Sequence, residues 1–404
     1  MELTPIYRCA VALDVHPHRL MVCVLYEDED GHIQVELREF GGFKRDQRAM
    51  AQWVAGFQPE VVVMESTGIY WKSPYAALEK AGVIPWVVNA RHVKGVPGRK
   101  TDVCDAQWLA TLARSGLLKG SFIPPAQFRE LRLISRQMQK ETGILAAEKN
   151  RLNKVLSDAG IRLSGVVSDI HGKSGRAMIT GLIHGETPKQ VLRYADKRLK
   201  ATEEELIDAL EGDLTDSHRF TLTQLLEHIE FLEAQIRRYR QQLIAGLAPQ
   251  QAILQTLQTL PGMDEDAAAM LLVEIGDDME AFGAPNRLAS WAGLCPANNE
   301  SAGKRKAGKK RKGNPYVRRL LCEVAQAAAK TRSSLANQFK SLCARRGHKR
   351  AIFALAHKLL RIVFFIIQRG DHYRDAKINY EELNVKKNAP RWIKMLKRYG
   401  YIPA

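Results

Sequence analysis

The sequence predicts an α/β domain followed by an all-α remainder. Three patterns carry that reading. Over residues 7–125, short β-rich apolar runs alternate with segments of helical period. Over 126–250, two sets of apolar residues recur every seven positions. From 251 onward the apolar spacing is mostly helical. The chain therefore divides into 1–125, 126–250 and 251–404.

In the first division, Tyr7–Leu13, Leu20–Tyr26 and Ile33–Phe40 read as strands, with Asp28-Glu29-Asp30-Gly31 as the turn between the last two. A helical pattern runs from about Asp46 to Gly56. Val61–Glu65 is a continuous apolar run of the kind buried on both faces of a sheet. A helix over Ser73–Ala81 stops at Gly82, Val83–Val88 is another strand, and a helix covers Asp102–Ser115. A three-strand meander followed by helix, strand, helix and strand is the order of the ribonuclease H-like fold. That fold hosts nucleases, integrases and kinases alike, so it does not decide function by itself.

In the second division, Leu131, Met138, Leu145 and Leu152 repeat every seven residues, as do Leu222, Ile229, Ile236 and Leu243, and Leu225, Leu232 and Tyr239. Two long helices with such seams predict a coiled-coil hairpin or a coiled coil between subunits, against a plain helical bundle as the simpler arrangement. The Gly-rich stretch 158–200 between them reads as short helices at the hairpin tip. In the third division, Leu257–Met263 followed by Ala267–Ile275 resembles a helix-hairpin-helix element, whose backbone amides can face phosphate, although a structural turn fits as well. Helices are expected over Leu288–Leu294, Tyr316–Thr331, Leu335–Arg346 and Lys349–Gln368.

Of the 404 residues, 45% are hydrophobic, enough for full cores. The best candidate span, Ile362–Ile367, falls well short of the roughly 20 residues of a membrane span, and the N-terminus lacks the pattern of a signal peptide. An intracellular protein is expected. The six cysteines form no C-x-x-C pair, so neither a zinc site nor a disulfide framework is indicated. The net charge of +17 calls for a polyanionic partner, nucleic acid ahead of membrane. Nine Lys or Arg and no acid lie from Lys304 to Arg319, preceded by Gly303 and interspersed with Gly308 and Gly313. We read this run as a flexible basic loop that closes on phosphates.

Four carboxylates carry the chemistry. Asp14 ends the first strand, Glu65 ends the fourth, and Asp102 and Asp105 open a helix. An acid just past a buried strand is costly unless a cation or donor compensates it. Carboxylate oxygens are the ligands Mg²⁺ prefers, and two ions about 4 Å apart clamp the attacking and leaving oxygens of a phosphodiester. Asp102 as a helix N-cap and Asp105 three residues on have a purely structural reading. That reading leaves Asp14 and Glu65 unexplained in the same layer.

These acids stand in the segments A-L-D-V, M-E-S-T-G and K-T-D-V-C-D-A. With the later L-P-G-M, E-I-G-D and W-A-G-L-C-P-A-N-N-E-S-A-G-K, they resemble the insertion-sequence 110 family of transposases, relatives of the Piv DNA invertase. The resemblance covers essentially the whole chain in the family's order. It implies a RuvC-like (RNase H-like) N-terminal domain, central coiled-coil helices and a helical C-terminal transposase domain. It implies that Asp14, Glu65, Asp102 and Asp105 hold Mg²⁺ in a two-metal site, with Mn²⁺ as a substitute, and that Ser301 is the nucleophile. It further implies donor and target double-stranded DNA and a structured non-coding bridge RNA as partners. A homodimer assembling into a homotetramer is expected, in the cytoplasm of a prokaryotic cell and at the nucleoid when active.

A serine hydroxyl is a weak nucleophile until a base or metal activates it. Ser301 lies directly before the basic loop, and the alternative, Ser290, sits in an apolar helical pattern. Lys304, Arg305, Lys309, Lys310, Arg311 and Lys312 in the loop are expected to meet phosphates. So are Arg99 and Lys100 beside the acids, with Tyr70, Trp71, Arg91, His92 and Lys94 nearby in sequence; Trp71 has a structural reading. His16 and His18 stand close enough to Asp14 to tune it. A metal-dependent junction resolvase using water, a DNA invertase without guide RNA, and a non-enzymatic nucleic-acid-binding factor are the remaining alternatives.

Overall fold

The computed structural model describes residues 5–65, 68–89, 105–295, 300–301, 304–305 and 313–403. For Glu300, Ser301, Lys304, Arg305, Glu381 and Asn384 it describes the backbone only. The chain divides into two compact units, 1–123 and 124–404.

The first unit is a five-stranded sheet with helices on both faces. Its strands are β1 (Cys9–Val15), β2 (Arg19–Glu27), β3 (Ile33–Gly41), β4 (Val61–Glu65) and β5 (Trp86–Val88), and its helices α1 (Lys44–Gly56), α2 (Lys72–Lys80) and α3 (Asp105–Arg114). The strand order is β3-β2-β1-β4-β5. The first three strands run antiparallel, and β4 and β5 join in parallel. This mixed order agrees with the ribonuclease H-like arrangement expected from the sequence. Successive strand residues face opposite sides. Val11, Leu13, Val22, Val24 and Met64 therefore pack against Met50 and Val54 of α1 and Tyr75 and Leu78 of α2. Ala10, Ala12, Cys23, Val61 and Val63 face Ala106, Leu109, Ala110 and Ala113 of α3. The small residues on both sides of that second contact let α3 lie close to the sheet.

Several element ends differ from expectation for local reasons. β1 starts two residues late because the Tyr7 amide donates to the Arg114 carbonyl and the Arg8 amide to Glu60 Oε2. It also runs past Asp14, which therefore sits inside the ladder opposite Met21. β5 is three residues long, because the Val83 amide turns back to the Leu78 carbonyl and Pro85 has no amide to offer.

In the second unit, α4 (Ala126–Asp158) and α9 (Asp216–Gly246) form an antiparallel hairpin. His218 meets Asp158 at 3.1 Å, His228 meets Glu148 at 3.5 Å and Lys149 meets Glu233 at 3.0 Å, while Gly246 lies against Leu131. The heptad positions Met138, Leu152, Leu222, Ile229 and Leu243 are buried. The tip contains α5 (Leu163–Val166), α6 (Lys173–Ile183), α7 (Pro188–Val191) and α8 (Glu203–Leu210). Their Met178, Ile179 and Leu206 share one core with Leu152, Leu156, Leu222 and Ile229, so this end of the hairpin is a small helical bundle.

The remaining helices are α10 (Gln251–Gln258), α11 (Glu265–Ile275), α12 (Pro285–Trp291), α13 (Pro315–Ala328), α14 (Ser334–Arg346), α15 (His348–Arg369) and α16 (Tyr380–Arg398). By length and composition α15 is apolar enough to cross a membrane, which the short run Ile362–Ile367 did not reveal. Its Leu355, Leu359, Leu360, Val363 and Phe364 are buried, and it packs against α12, α13 and α14 as a core helix. α16 was not expected at all. The turn before α11 has a structural account in its packing and capping. A Cβ on Gly262 would lie 2.5 Å from the Ala328 amide. Asp264 caps α11 by accepting from the Ala267 amide at 2.8 Å, and Glu265 and Asp266 are already paired with Arg240. Three acids at that helix start repel a phosphate.

One buried charge cluster joins α4, α11 and α13. Glu274 is 1% exposed. Arg136 donates to both of its carboxylate oxygens at 2.8 and 3.0 Å, and Asn314 Nδ2 donates at 2.7 Å. Arg132 donates to the Val273 carbonyl at 2.9 Å and also to the Glu274 carbonyl. Burial alone would raise the Glu274 pKa, but the Arg136 bonds and the nearby Arg132 charge outweigh it, and the carboxyl titrates below its ordinary value. Replacing Glu274 with Ala strands two guanidinium groups among apolar helices. We expect a loss of about 3–5 kcal/mol, read from urea unfolding of the full chain. The depressed Glu274 pKa also adds stability that is complete above the unfolded-state value and is lost as pH falls through the folded-state value. Glu274→Gln should therefore flatten the acid limb of the stability–pH curve, and an unchanged limb would assign it to other carboxylates.

Candidate active site

The β1–β4 register sets the site. Leu13 stands opposite Met64 in a parallel pair, so the next residues along, Asp14 and Glu65, are neighbours on adjacent strands. Ala10 and Ala12 on β1, and Val61 and Val63 on β4, belong to the face covered by α3. By strand alternation, Asp14 and Glu65 lie on that same face. Asp105 opens α3.

The direction of α3 follows from its far end. The Arg114 carbonyl accepts from the Ile6 and Tyr7 amides at 2.8 and 3.1 Å, just ahead of β1, and the Arg114 guanidinium pairs with Glu27 at the end of antiparallel β2. α3 thus runs back along β1, and its ten residues span about 15 Å. Its N-terminus, with Asp105, is delivered to the edge of the sheet where β1 and β4 end. Three of the four predicted acids therefore share one face and one edge. Asp102 lies outside the described residues.

The Asp14 side chain is 23% exposed and its Oδ2 is 3.2 Å from His16 Nε2. The predicted neighbour His16 thus touches the acid set, whereas His18 contributes its backbone carbonyl to the Gly42 amide. Trp71 packs edge-on to Tyr75 at 5.7 Å between ring centres, in agreement with a structural role, and Tyr70 is exposed. Arg91, His92, Lys94, Arg99 and Lys100 lie outside the described residues. Among the described residues no three His, Cys, Asp or Glu side chains form a metal-holding group. The donor set is nonetheless of the right kind: every acid at this edge offers hard oxygen ligands.

Ser301 belongs to the second unit. Glu300–Ser301 (β6) and Lys304–Arg305 (β7) pair as a minimal antiparallel hairpin in which Ser301 stands opposite Lys304 and Glu300 opposite Arg305. Lys309, Lys310, Arg311 and Lys312 lie outside the described residues. The neck of this segment is well defined. Gly293 has φ +72°, and a Cβ on Gly313 would lie 2.3 Å from the Gly293 amide. The Asn314 amide donates to the Trp291 carbonyl at 3.2 Å. The Asn314 side chain caps α13 through the Tyr316 and Val317 amides while donating to Glu274. Ser290 is half-buried on α12.

With this geometry established, comparison with known proteins assigns a class. Residues 11–161 match the family model DEDD_Tnp_IS110, described as a transposase. Residues 254–340 match the Transposase IS116/IS110/IS902 family. Two separate stretches of the chain thus match models of IS110-family transposases, in the order expected from the sequence. An IS110 insertion-element protein of 43.6 kDa from Streptomyces coelicolor is 27% identical over 50% of this chain and 49% of its own length. The alignment thus spans about half of that relative. The transposase for insertion sequence element IS1111A of Coxiella burnetii is 24% identical over 80% of this chain and 81% of its own. The Thermus thermophilus RuvC structure aligns over 99% of its length and 28% of this chain, with a TM-score of 0.22 and 17% identity.

Asp14 and His16 are both partly solvent-exposed, and exposed pairs contribute little to folding. Asp14→Asn should change the stability of the folded protein by less than about 1 kcal/mol, measured by thermal unfolding. A collapse of the fold would make Asp14 structural.

Proposed function

We propose that this chain is the transposase of an insertion sequence, a DNA recombinase that transfers phosphodiester bonds between donor and target duplexes selected by a structured bridge RNA. The observation that carries the reading is the β1–β4 register, which makes Asp14 and Glu65 neighbours on the face where Asp105 begins its helix. With Asp102, these acids hold Mg²⁺ or, in its place, Mn²⁺. The ion's contribution when bound is to polarise the scissile phosphate and stabilise a leaving oxygen.

The protein's own chemistry starts at Ser301. Its Oγ attacks phosphorus, the bond to the 3′ oxygen breaks, and the serine proton passes by way of solvent to the leaving 3′ oxygen, giving a 5′-phosphoserine and a free 3′-OH. The 3′-OH of the other duplex then attacks the phosphoserine, Ser301 regains a proton, and bond energy is conserved without ATP. Lys304, opposite Ser301 in the hairpin register, and the cations that follow draw the phosphate backbone toward the serine. Arg99 and Lys100 do the same beside the acids. A homodimer assembling into a tetramer brings acids and serine together from different subunits. The proposed site of action is the cytoplasm of a prokaryotic cell, where the element's DNA lies.

The test combines purified protein, the non-coding RNA that flanks its element, Mg²⁺ and labelled donor and target DNA on a denaturing gel. A protein-linked DNA band that requires RNA and metal and is absent from Ser301→Ala is the expected outcome. Asp14→Asn and Glu65→Gln should each lower its yield about 10²-fold or more, the scale on which removing one preorganised electrostatic group acts. Free nicked DNA that persists in Ser301→Ala would replace this reading with a nuclease that uses water.

A further inference from the structure

α16 lies beyond the residues matched by either family model and combines two exposed faces. At 100° per residue, Lys387, Arg391, Lys394 and Arg398 fall on one stripe at i, i+4, i+7 and i+11. Val385, Trp392, Leu396 and Tyr399 fall on the opposite stripe. Every residue from Pro390 to Gly400 is exposed. Glu382, which pairs with Lys386 at 2.6 Å, is the last acid in the sequence. The helix therefore leaves its support on α14 and carries an uncompensated cationic stripe into solvent.

Taken alone, this is a poor helix. Lys387 with Arg391, Arg391 with Lys394 and Lys394 with Arg398 are like-charge pairs at the spacings where side chains meet, and each pair weakens a helix. Pro390 lies inside the helix and removes one backbone donor. A polyanion laid along the stripe turns each of these repulsions into an attraction. A second copy of the chain, itself at +17, would add to them.

We propose that the basic face of α16 docks in the major groove of duplex DNA, as a contact separate from the Ser301 segment. This rests on the transposase reading above for the presence of DNA. An α-helix with its side chains is about 10–12 Å across, and the major groove of B-form DNA is about 12 Å wide. The groove of A-form RNA is deep and narrow and excludes a helix. The 19-residue helix is about 28 Å long, close to one turn of the duplex. The cations meet the phosphate walls and the apolar stripe faces out of the groove.

The test uses the full chain and the triple variant Lys387→Gln, Arg391→Gln and Lys394→Gln, in which Gln keeps helix propensity while removing charge. Circular dichroism of both proteins checks that the fold is kept. Binding to a duplex DNA and to a duplex RNA is measured across a salt series. Each lost phosphate contact flattens the dependence of log K on log salt by about 0.9 for DNA. The expected result is a DNA slope shallower by about 2.7, uniform weakening across DNA sequences, and an unchanged RNA slope. An unchanged DNA slope, or equal flattening for RNA, overturns the proposal while leaving the transposase reading in place. If the unaltered protein binds no DNA at all, both readings fall, and that arm alone separates the two failures.

Discussion

A single buried carboxylate organises the helical half of this protein. Glu274 sits among apolar side chains where an isolated charge is untenable. Its donors come from two helices, Arg136 on the long helix α4 and Asn314 at the start of α13, while Arg132, one turn from Arg136, holds the Glu274 backbone carbonyl. The Arg136 guanidinium also lies 4.4 Å from the Tyr316 ring, so one cation serves two helices. Hydrophobic packing would hold these helices together with some freedom to slide. Directional bonds to one carboxylate remove that freedom. The hairpin, the core helices and the neck below Ser301 are thereby tied to a common point.

The first unit depends on register in a comparable way. Side chains alternate across a strand, so a slip of one residue between β1 and β4 would send one of the two acids to the wrong face. The slip is opposed on both sides of the sheet, by Val11, Leu13 and Met64 against α1 and α2 and by Ala10, Ala12 and Val63 against α3. Cores on both faces thus specify where two carboxylates meet at an edge. The placement of these acids inherits its precision from packing that has no chemistry in it.

Much of this was legible in the sequence, for identifiable reasons. Val61–Glu65 could be read to the residue because a strand buried on both faces leaves an unbroken apolar run. The hairpin could be read because its seams recur every seven residues. The strand ends were harder, since hydrogen bonds from outside the sheet decide them, as with the Tyr7 amide and the Arg114 carbonyl. Glu274 was invisible as an anchor. It appears in the sequence as one more acid in a helix, and its partners are about 140 residues before it and 40 after it. α16 carries a start signal that was there to be used: Asn379 caps it by accepting from the Glu382 amide three residues on. Within the site, the strand acids follow from strand pattern alone. The placement of Asp105 needs the direction of α3, which only the tertiary bonds at Arg114 reveal.

The glycine neck at Gly293 and Gly313 has a consequence for how such a protein can diversify. Two chain ends held backbone to backbone close the intervening segment independently of its content. Once closed, a doubling of that segment adds only about 0.6 kcal/mol of closure entropy. Residues can be inserted, deleted or exchanged beyond the neck with little disturbance to the helices beneath it. Selection is then free to reshape the segment beyond the neck while the scaffold drifts slowly, and a protein engineer can graft a different peptide at the same place.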